Sequence, residues 1–247
     1  MSTDIPQAMA VSDHDIRALA FDVFGTVVDW RGSIIREGEL FSATKGIAVD
    51  WPAFADAWRA GYQPSMDSTR AAGAAWVDID TLHRRILDGL LPRFGLQSLS
   101  ADELTHLNRV WHRLMPWPDT VAGLNRLKCR YPISTLSNGN VSLLVNMARN
   151  AGLPWDCVLS GELIHKYKPD PEVYLMAARL LGVAPHQLML VAAHTSDLAG
   201  AQRAGLRTAY VTRPLEYGAG RPMEPVGDRV FDVTASDFLD LAAQLGA

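Results

Sequence analysis

Cysteine is scarce: the chain of 247 residues has two, Cys129 and Cys157. Two thiols do not make a disulfide framework, and both are expected to be buried and free. Long apolar runs are missing as well, and no stretch approaches the roughly 18 residues that a membrane span requires. The opening segment, MSTDIPQAMAVSDHD, has neither a basic start nor an apolar centre and does not read as a signal peptide. A basic excess is also absent: 23 Lys and Arg stand against 27 Asp and Glu, which argues against the positive patch of a nucleic-acid binder. There are no internal repeats and no low-complexity segments. These absences predict a soluble, cytoplasmic protein with no nucleic-acid and no membrane partner. The rest is ordinary globular composition, 48% hydrophobic and 20% charged. The length allows one large domain, or a core with a smaller insert.

Short apolar runs punctuated by polar residues predict buried strands over 17–25, 131–139, 188–197 and 207–213, with a weaker one over 229–234. Helical patterns fill the gaps at 141–152, 170–182 and 196–205, each stopping near a glycine. Strands alternating with helices give an α/β fold, a Rossmann-like doubly wound parallel sheet. One region breaks the alternation. From about 34 to 115 only helical stretches occur, and SADE at 100–103 has the spacing of a capping box. The expected organisation is a flexible tail over 1–15, a sheet core over 16–33 and 116–247, and an all-helical insert over 34–115. WPD at 117–119 marks the return to the sheet, and the Gly- and Pro-rich stretch 213–228 reads as irregular loop.

Open parallel sheets bind ligands outside the carboxyl ends of their strands. The residues at those ends are Asp22 and Thr26, Ser137 and Asn138, and His194 and Asp197, with Lys168 in YKPDP just before a helix. Each alone is bland: a strand-end Asp often caps a helix, SNG is an ordinary turn, and a lone Lys is usually a solvated surface residue. Two carboxylates, a lysine and several hydroxyl or amide groups at successive strand ends are far less ordinary.

In FDVFGT, LSNGN, YKPDP and AAHTSD the sequence resembles the haloacid dehalogenase superfamily, over residue 17 to the C-terminus. The resemblance implies that the helical insert is that family's cap domain. It also narrows the chemistry at Phe24. Phosphatase members carry a second Asp two residues after the nucleophile, where it protonates the leaving oxygen and helps to hold magnesium. Phe24 has no proton to give, and a departing halide scarcely needs one. The late motif offers a single carboxylate, Asp197, where magnesium sites commonly use more oxygen ligands. The chain is therefore most similar to the 2-haloacid dehalogenases, which work without metal or other cofactor on small haloacids.

That resemblance implies an aspartyl-ester route. Asp22 attacks the halogen-bearing carbon, Lys168 keeps it ionised, and Asp197 orients Lys168 and the hydrolytic water. Thr26 and Ser137 hold carboxylate oxygens, Asn138 donates to the halide, and Tyr174 matches a tyrosine near the site, though packing explains it equally well. Arg59, in a Trp-Arg pair at 58–59, is nominated for the substrate carboxylate, with Arg31 and Arg36 as rivals. His194 stands where relatives carry an amide, and Ala192 and Ala193 stand where they carry hydroxyls. His194 either binds the water or halide, or fills the amide's volume with one hydrogen bond; a pocket small enough for fluoride is one consequence considered. His165 and Lys166 are expected to be exposed. The tryptophans gather in and around the cap, most of them as core. An exposed apolar face of the cap would support a homodimer. Rival readings are the same ester chemistry on a strained ring such as azetidine-2-carboxylate, a residual phosphatase, and a non-catalytic carboxylate-binding protein.

Overall fold

A computed structural model describes residues 16–70 and 75–247; the predicted tail over 1–15 lies outside the described residues. In chain order the elements are β1 (Ala18–Phe21), β2 (Val28–Asp29), α1 (Trp30–Lys45), α2 (Trp51–Ala60), α3 (Tyr62–Arg70), α4 (Ile79–Phe94), α5 (Ala101–Asn108), β3 (Met115–Pro116), α6 (Thr120–Lys128), β4 (Ile133–Ser137), α7 (Val141–Ala151), β5 (Cys157–Ser160), α8 (Pro171–Leu180), β6 (Leu188–Ala192), α9 (Thr195–Arg203), β7 (Arg207–Val211), β8 (Val233–Ala235) and α10 (Phe238–Gln244).

Six strands form one parallel sheet in the order β5-β4-β1-β6-β7-β8. β1 lies in the middle because all of ALAF is buried on both faces, as a central parallel strand must be. Leu19 pairs with Ile133 on one side and Met189 on the other. The chain order reverses around β1, so the strand that delivers Asp22 ends at the switch point, where the crevice of such a sheet opens.

The expected strand over 17–25 stops after Phe21. Asp22 N–H still donates to Val191 O at 3.0 Å, but the amides of Val27 and Val28 both turn back to Val23 O. The weak strand at 229–234 shrinks to Val233–Ala235; Val230 is 76% exposed and Arg229 reaches instead for Pro225 O. The edge strand β5, the helices α6 and α10, and the ribbon β2-β3 are additions to the sequence reading. The stretch predicted helical to 115 ends as helix at Asn108 and continues as a 3-10 turn, Arg109–His112. The helical run begins at Trp30, where Asp29 accepts Gly32 N–H at 2.8 Å. Both bonds of the capping box at Ser100 and Glu103 are made. The thiols correct the expectation of burial: both are free, but Cys129 is exposed and Cys157 half-buried.

α1 to α5 all lie between β2 and β3, and their apolar interior is continuous with that of the sheet. Trp51, Phe54, Trp58 and Phe94 make edge contacts among the helices. Phe24 joins the two parts: its ring meets Tyr62, His83 and Trp111 edge-on at 5.7–6.3 Å. Among the described residues no helix is long and apolar enough to cross a membrane.

Candidate active site

Asp22 sits just past β1, 7% exposed, with both oxygens engaged. Lys168 Nζ donates to Oδ1 at 2.9 Å; Thr26 Oγ1 donates to Oδ2 at 2.7 Å, and His194 Nδ1 lies 3.0 Å from the same Oδ2. Thr26 is itself fixed by Ala193 N–H at 2.9 Å, so the residue just past β6 steadies the nucleophile candidate through a hydroxyl. Lys168 Nζ also reaches Asp197 Oδ2 at 2.5 Å, and Tyr174 Oη donates to Asp197 Oδ1 at 2.7 Å. The sequence-predicted group around Asp22, Lys168 and Asp197 is thus one hydrogen-bonded cluster at one sheet edge.

Burial raises the Asp22 carboxyl, but the Lys168 ammonium and the hydrogen bond and charge of His194 outweigh it, leaving the group well below the usual carboxylate range. Burial alone would lower Lys168; Asp197 and Asp22 lift it above an ordinary lysine. Asp197 moves upward, driven by burial and by the neighbouring Asp22 charge. Near neutral pH, Asp22 is an anion held between two cations.

The second of those cations depends on a residue of the irregular stretch 213–228, for which its sequence offers no role. Glu216, 3% exposed, places Oε1 2.9 Å from His194 Nε2 and accepts Trp30 Nε1–H at 3.1 Å. Burial pulls His194 down, but Glu216 and Asp22 together push it up to about 10. His194 is therefore an imidazolium bonded on both sides, beyond the volume-filling role open to it in the sequence. Gly25 makes room for this chain of contacts. Its φ is +85°, and a Cβ there would lie 2.2 Å from Glu216 Oε1.

A cavity of about 720 Å³ opens onto the cluster, lined among others by Phe24, Trp30, Arg59, Tyr62, Met66 and Tyr217. Arg59 enters it from the end of α2, its guanidinium 4.6 Å from the Tyr62 ring centroid and 5.6 Å from that of Trp30; its buried Nη1 has no hydrogen-bond partner. The rivals are engaged elsewhere. Arg31 makes a two-pronged bond to Asp56 at 2.8 and 3.1 Å, and Arg36 lines a separate, smaller cavity with Ser33, Glu37 and Arg113.

The other nominated residues sort by position. Ser137 and Asn138 line the cavity. Ser137 Oγ accepts Gly139 N–H at 3.1 Å and so pins the SNG turn. Asn138 Oδ1 accepts Lys168 N–H at 2.7 Å, while its Nδ2 lies 3.4 Å from Met66 Sδ. Tyr174, expected near substrate, lies outside the cavity lining beneath Asp197, and Thr26 stands behind Asp22. His165 and Lys166 are exposed. The carboxylates nearest Asp22 are already paired with Lys168 and His194, and among the described residues no group of three or more His, Cys, Asp or Glu side chains is placed to hold a metal ion.

Residues 16–205 match a hydrolase family described as haloacid dehalogenase-like hydrolase. An (S)-2-haloacid dehalogenase from Pseudomonas sp. (strain CBS-3) is 31% identical, over 82% of this chain and 88% of its own. The crystal structure of a defluorinating L-2-haloacid dehalogenase superposes with a TM-score of 0.89 at 47% identity, covering 94% of this chain and 96% of that one. A second L-2-haloacid dehalogenase structure gives 0.90 at 46% identity, over 94% and 99% of the two chains.

Proposed function

We propose that this chain, which belongs to the haloacid dehalogenase-like hydrolases, hydrolyses short (S)-2-haloalkanoates to the 2-hydroxy acid and halide. The observation that carries the proposal is an Asp22 carboxylate held ionised by Lys168 and His194, facing a cavity that has Phe24 where an acid would be needed and Arg59 with a free donor. An anionic nucleophile, an anchor for a carboxylate and no proton donor at the leaving group together suit displacement of halide. The relatives named above act on haloacids of this hand. Helices α1 to α5, which fill the insert expected over 34–115 but start four residues earlier at Trp30, would serve as the cap that shuts water away from the first step, over a core made of the chain on either side.

An Asp22 oxygen attacks C2 from the rear. The C–X bond breaks with its electron pair on the halide, and an ester with inverted C2 results. Asp22 is now neutral, so His194 Nδ1 loses its anionic partner and releases its proton to solvent. Nε2–H stays on Glu216, and the free Nδ1 lone pair faces the ester 3.0 Å from the Asp22 oxygen it held. A water attacks Cγ of Asp22 and gives one proton to Nδ1; the bond between Cγ and the oxygen joined to C2 breaks, and that oxygen takes the water's second proton from the new carboxyl, which is left as the Asp22 carboxylate. The hydroxy acid leaves, and the resting imidazolium returns. The net change consumes one water and yields one halide and one proton.

The test is halide release from (S)- and (R)-2-chloropropionate, chloroacetate and fluoroacetate with EDTA present. Fluoroacetate is included because one neighbour of this chain is a defluorinating enzyme. We expect turnover of the (S) acid that EDTA leaves intact, with the heavy oxygen isotope entering Asp22 in a single turnover run in labelled water. No halide from any of the four sinks the proposal.

Arg59 gives a separate prediction. A hydrogen bond between charged groups contributes about 1.5–3 kcal/mol, so Arg59→Ala should raise KM for (S)-2-chloropropionate by roughly tenfold to a hundredfold. Steady-state halide release against substrate concentration measures this, and an unchanged KM removes Arg59 as the carboxylate anchor.

A further inference from the structure

Lys168 must place its ammonium between two carboxylates at 2.9 and 2.5 Å, yet it rides on an irregular segment between β5 and α8. Its backbone is held from two directions. The N–H donates to Asn138 Oδ1 of the core at 2.7 Å. The carbonyl accepts from Arg70 Nη2 at 2.8 Å, and the same nitrogen reaches Tyr167 O at 3.1 Å and Asp170 Oδ1 at 3.4 Å. Arg70 Nη1 is bonded to Asp67 at 3.1 Å within its own helix. Arg70 is the last residue of α3, one of the helices inserted between β2 and β3.

On α3, residues 62, 66 and 70 are spaced by four and share one face. Tyr62 meets Phe24 beside the nucleophile candidate, Met66 Sδ meets Asn138 Nδ2, and Arg70 meets the Lys168 carbonyl. One helix face therefore touches three of the four motif segments. Just beyond it the same loop is gripped again: the Trp76 ring stacks on His165 at 5.0 Å, and Tyr167 Oη donates to Val77 O.

We propose that Arg70 is a positioning residue for Lys168, so that docking of α3 on the sheet and placement of the catalytic ammonium are one event. The alternative is an ordinary surface arginine. Its ion pairs to Asp67 and Asp170 are partly exposed, and such pairs contribute little to stability. The two readings differ in what Arg70→Ala does. A surface pair predicts nothing beyond a small change in melting temperature. A positioning role predicts a lower kcat, because displacement of a catalytic group by about 1 Å can cost on the order of a hundredfold.

The experiment takes the full chain as wild type, Arg70→Ala and Arg70→Lys. Halide release from (S)-2-chloropropionate gives kcat and KM, and hydrogen–deuterium exchange follows the segment 165–170. The expected result is a kcat down about tenfold to a hundredfold in Arg70→Ala, with KM within about twofold, most of kcat restored in Arg70→Lys, and faster exchange confined to 165–170. A kcat within about twofold of wild type overturns the proposal; so does faster exchange spread over the whole chain, which would mark a merely structural role. The kinetic arm rests on the dehalogenase reading, but the exchange arm does not. If wild type releases no halide, that reading fails by itself, and unchanged exchange at 165–170 in Arg70→Ala is then what overturns this proposal.

Discussion

Asp22→Asn lowers halide release by on the order of 10⁶-fold, the scale on which removal of a nucleophile acts in a hydrolase. An amide oxygen is a poor nucleophile toward an alkyl halide and forms no ester that water can open to a carboxylate. The variant should still fold. Lys168 keeps Asp197 at 2.5 Å and His194 keeps Glu216 at 2.9 Å, so neither buried cation is orphaned. The loss of stability should therefore stay below the roughly 3–5 kcal/mol of a broken buried pair. A melting curve and a halide assay on the same preparation separate the two effects. A folded Asp22→Asn protein that releases halide at a measurable fraction of the wild-type rate would remove Asp22 as nucleophile, and with it the ester route.

How much of this was legible in the sequence depends on what each residue leans on. Asp22, Asn138 and Asp197 announce themselves because they follow apolar runs that can only be buried strands, or open the helix after one, and a parallel sheet brings those positions to one edge; Lys168 is legible only from YKPDP just ahead of a helix. Arg59 was legible through its tryptophan neighbour, but its free donor and the engagement of Arg31 with Asp56 are facts of packing. Glu216 was not legible. It lies in a loop without periodicity, and its role comes from a contact with His194 across 22 positions and one with Trp30 across 186. β5 escaped notice because an edge strand whose Cys157 and Val158 are only half-buried shows no continuous apolar run. α6 escaped because Gly123 interrupts its pattern. A Cβ at Gly123 would lie 2.4 Å from Phe238 Cβ, so the glycine that weakens the helical signal is what lets α6 and α10 pack closely.

Glu216→Gln should separate the two half-reactions. Attack on C2 needs Asp22 ionised, and Lys168 still secures that at 2.9 Å. Hydrolysis needs a neutral His194 with Nδ1 free, which requires a partner that keeps the proton on Nε2. A glutamine holds Nε2–H weakly and can offer its own N–H instead, favouring the wrong tautomer. General-base assistance contributes about 10²–10⁴-fold, so kcat should fall by that range while one enzyme equivalent of halide appears as a burst. Mass spectrometry of the peptide carrying Asp22 should find the substrate's carboxyethyl group as a persistent ester. Stability supplies a second readout. His194 has its folded-state value raised from 6.5 to about 10, so its contribution is fully present below about pH 6.5 and is lost as the pH rises through about 10. Glu216→Gln removes the largest upward influence on His194, so the variant's melting temperature should depend less on pH across that window. A Glu216→Gln enzyme with wild-type kcat, or one that slows without accumulating ester, would show that His194 and Glu216 only support Asp22 and that the water is activated elsewhere, with Asp197 the next carboxylate to test.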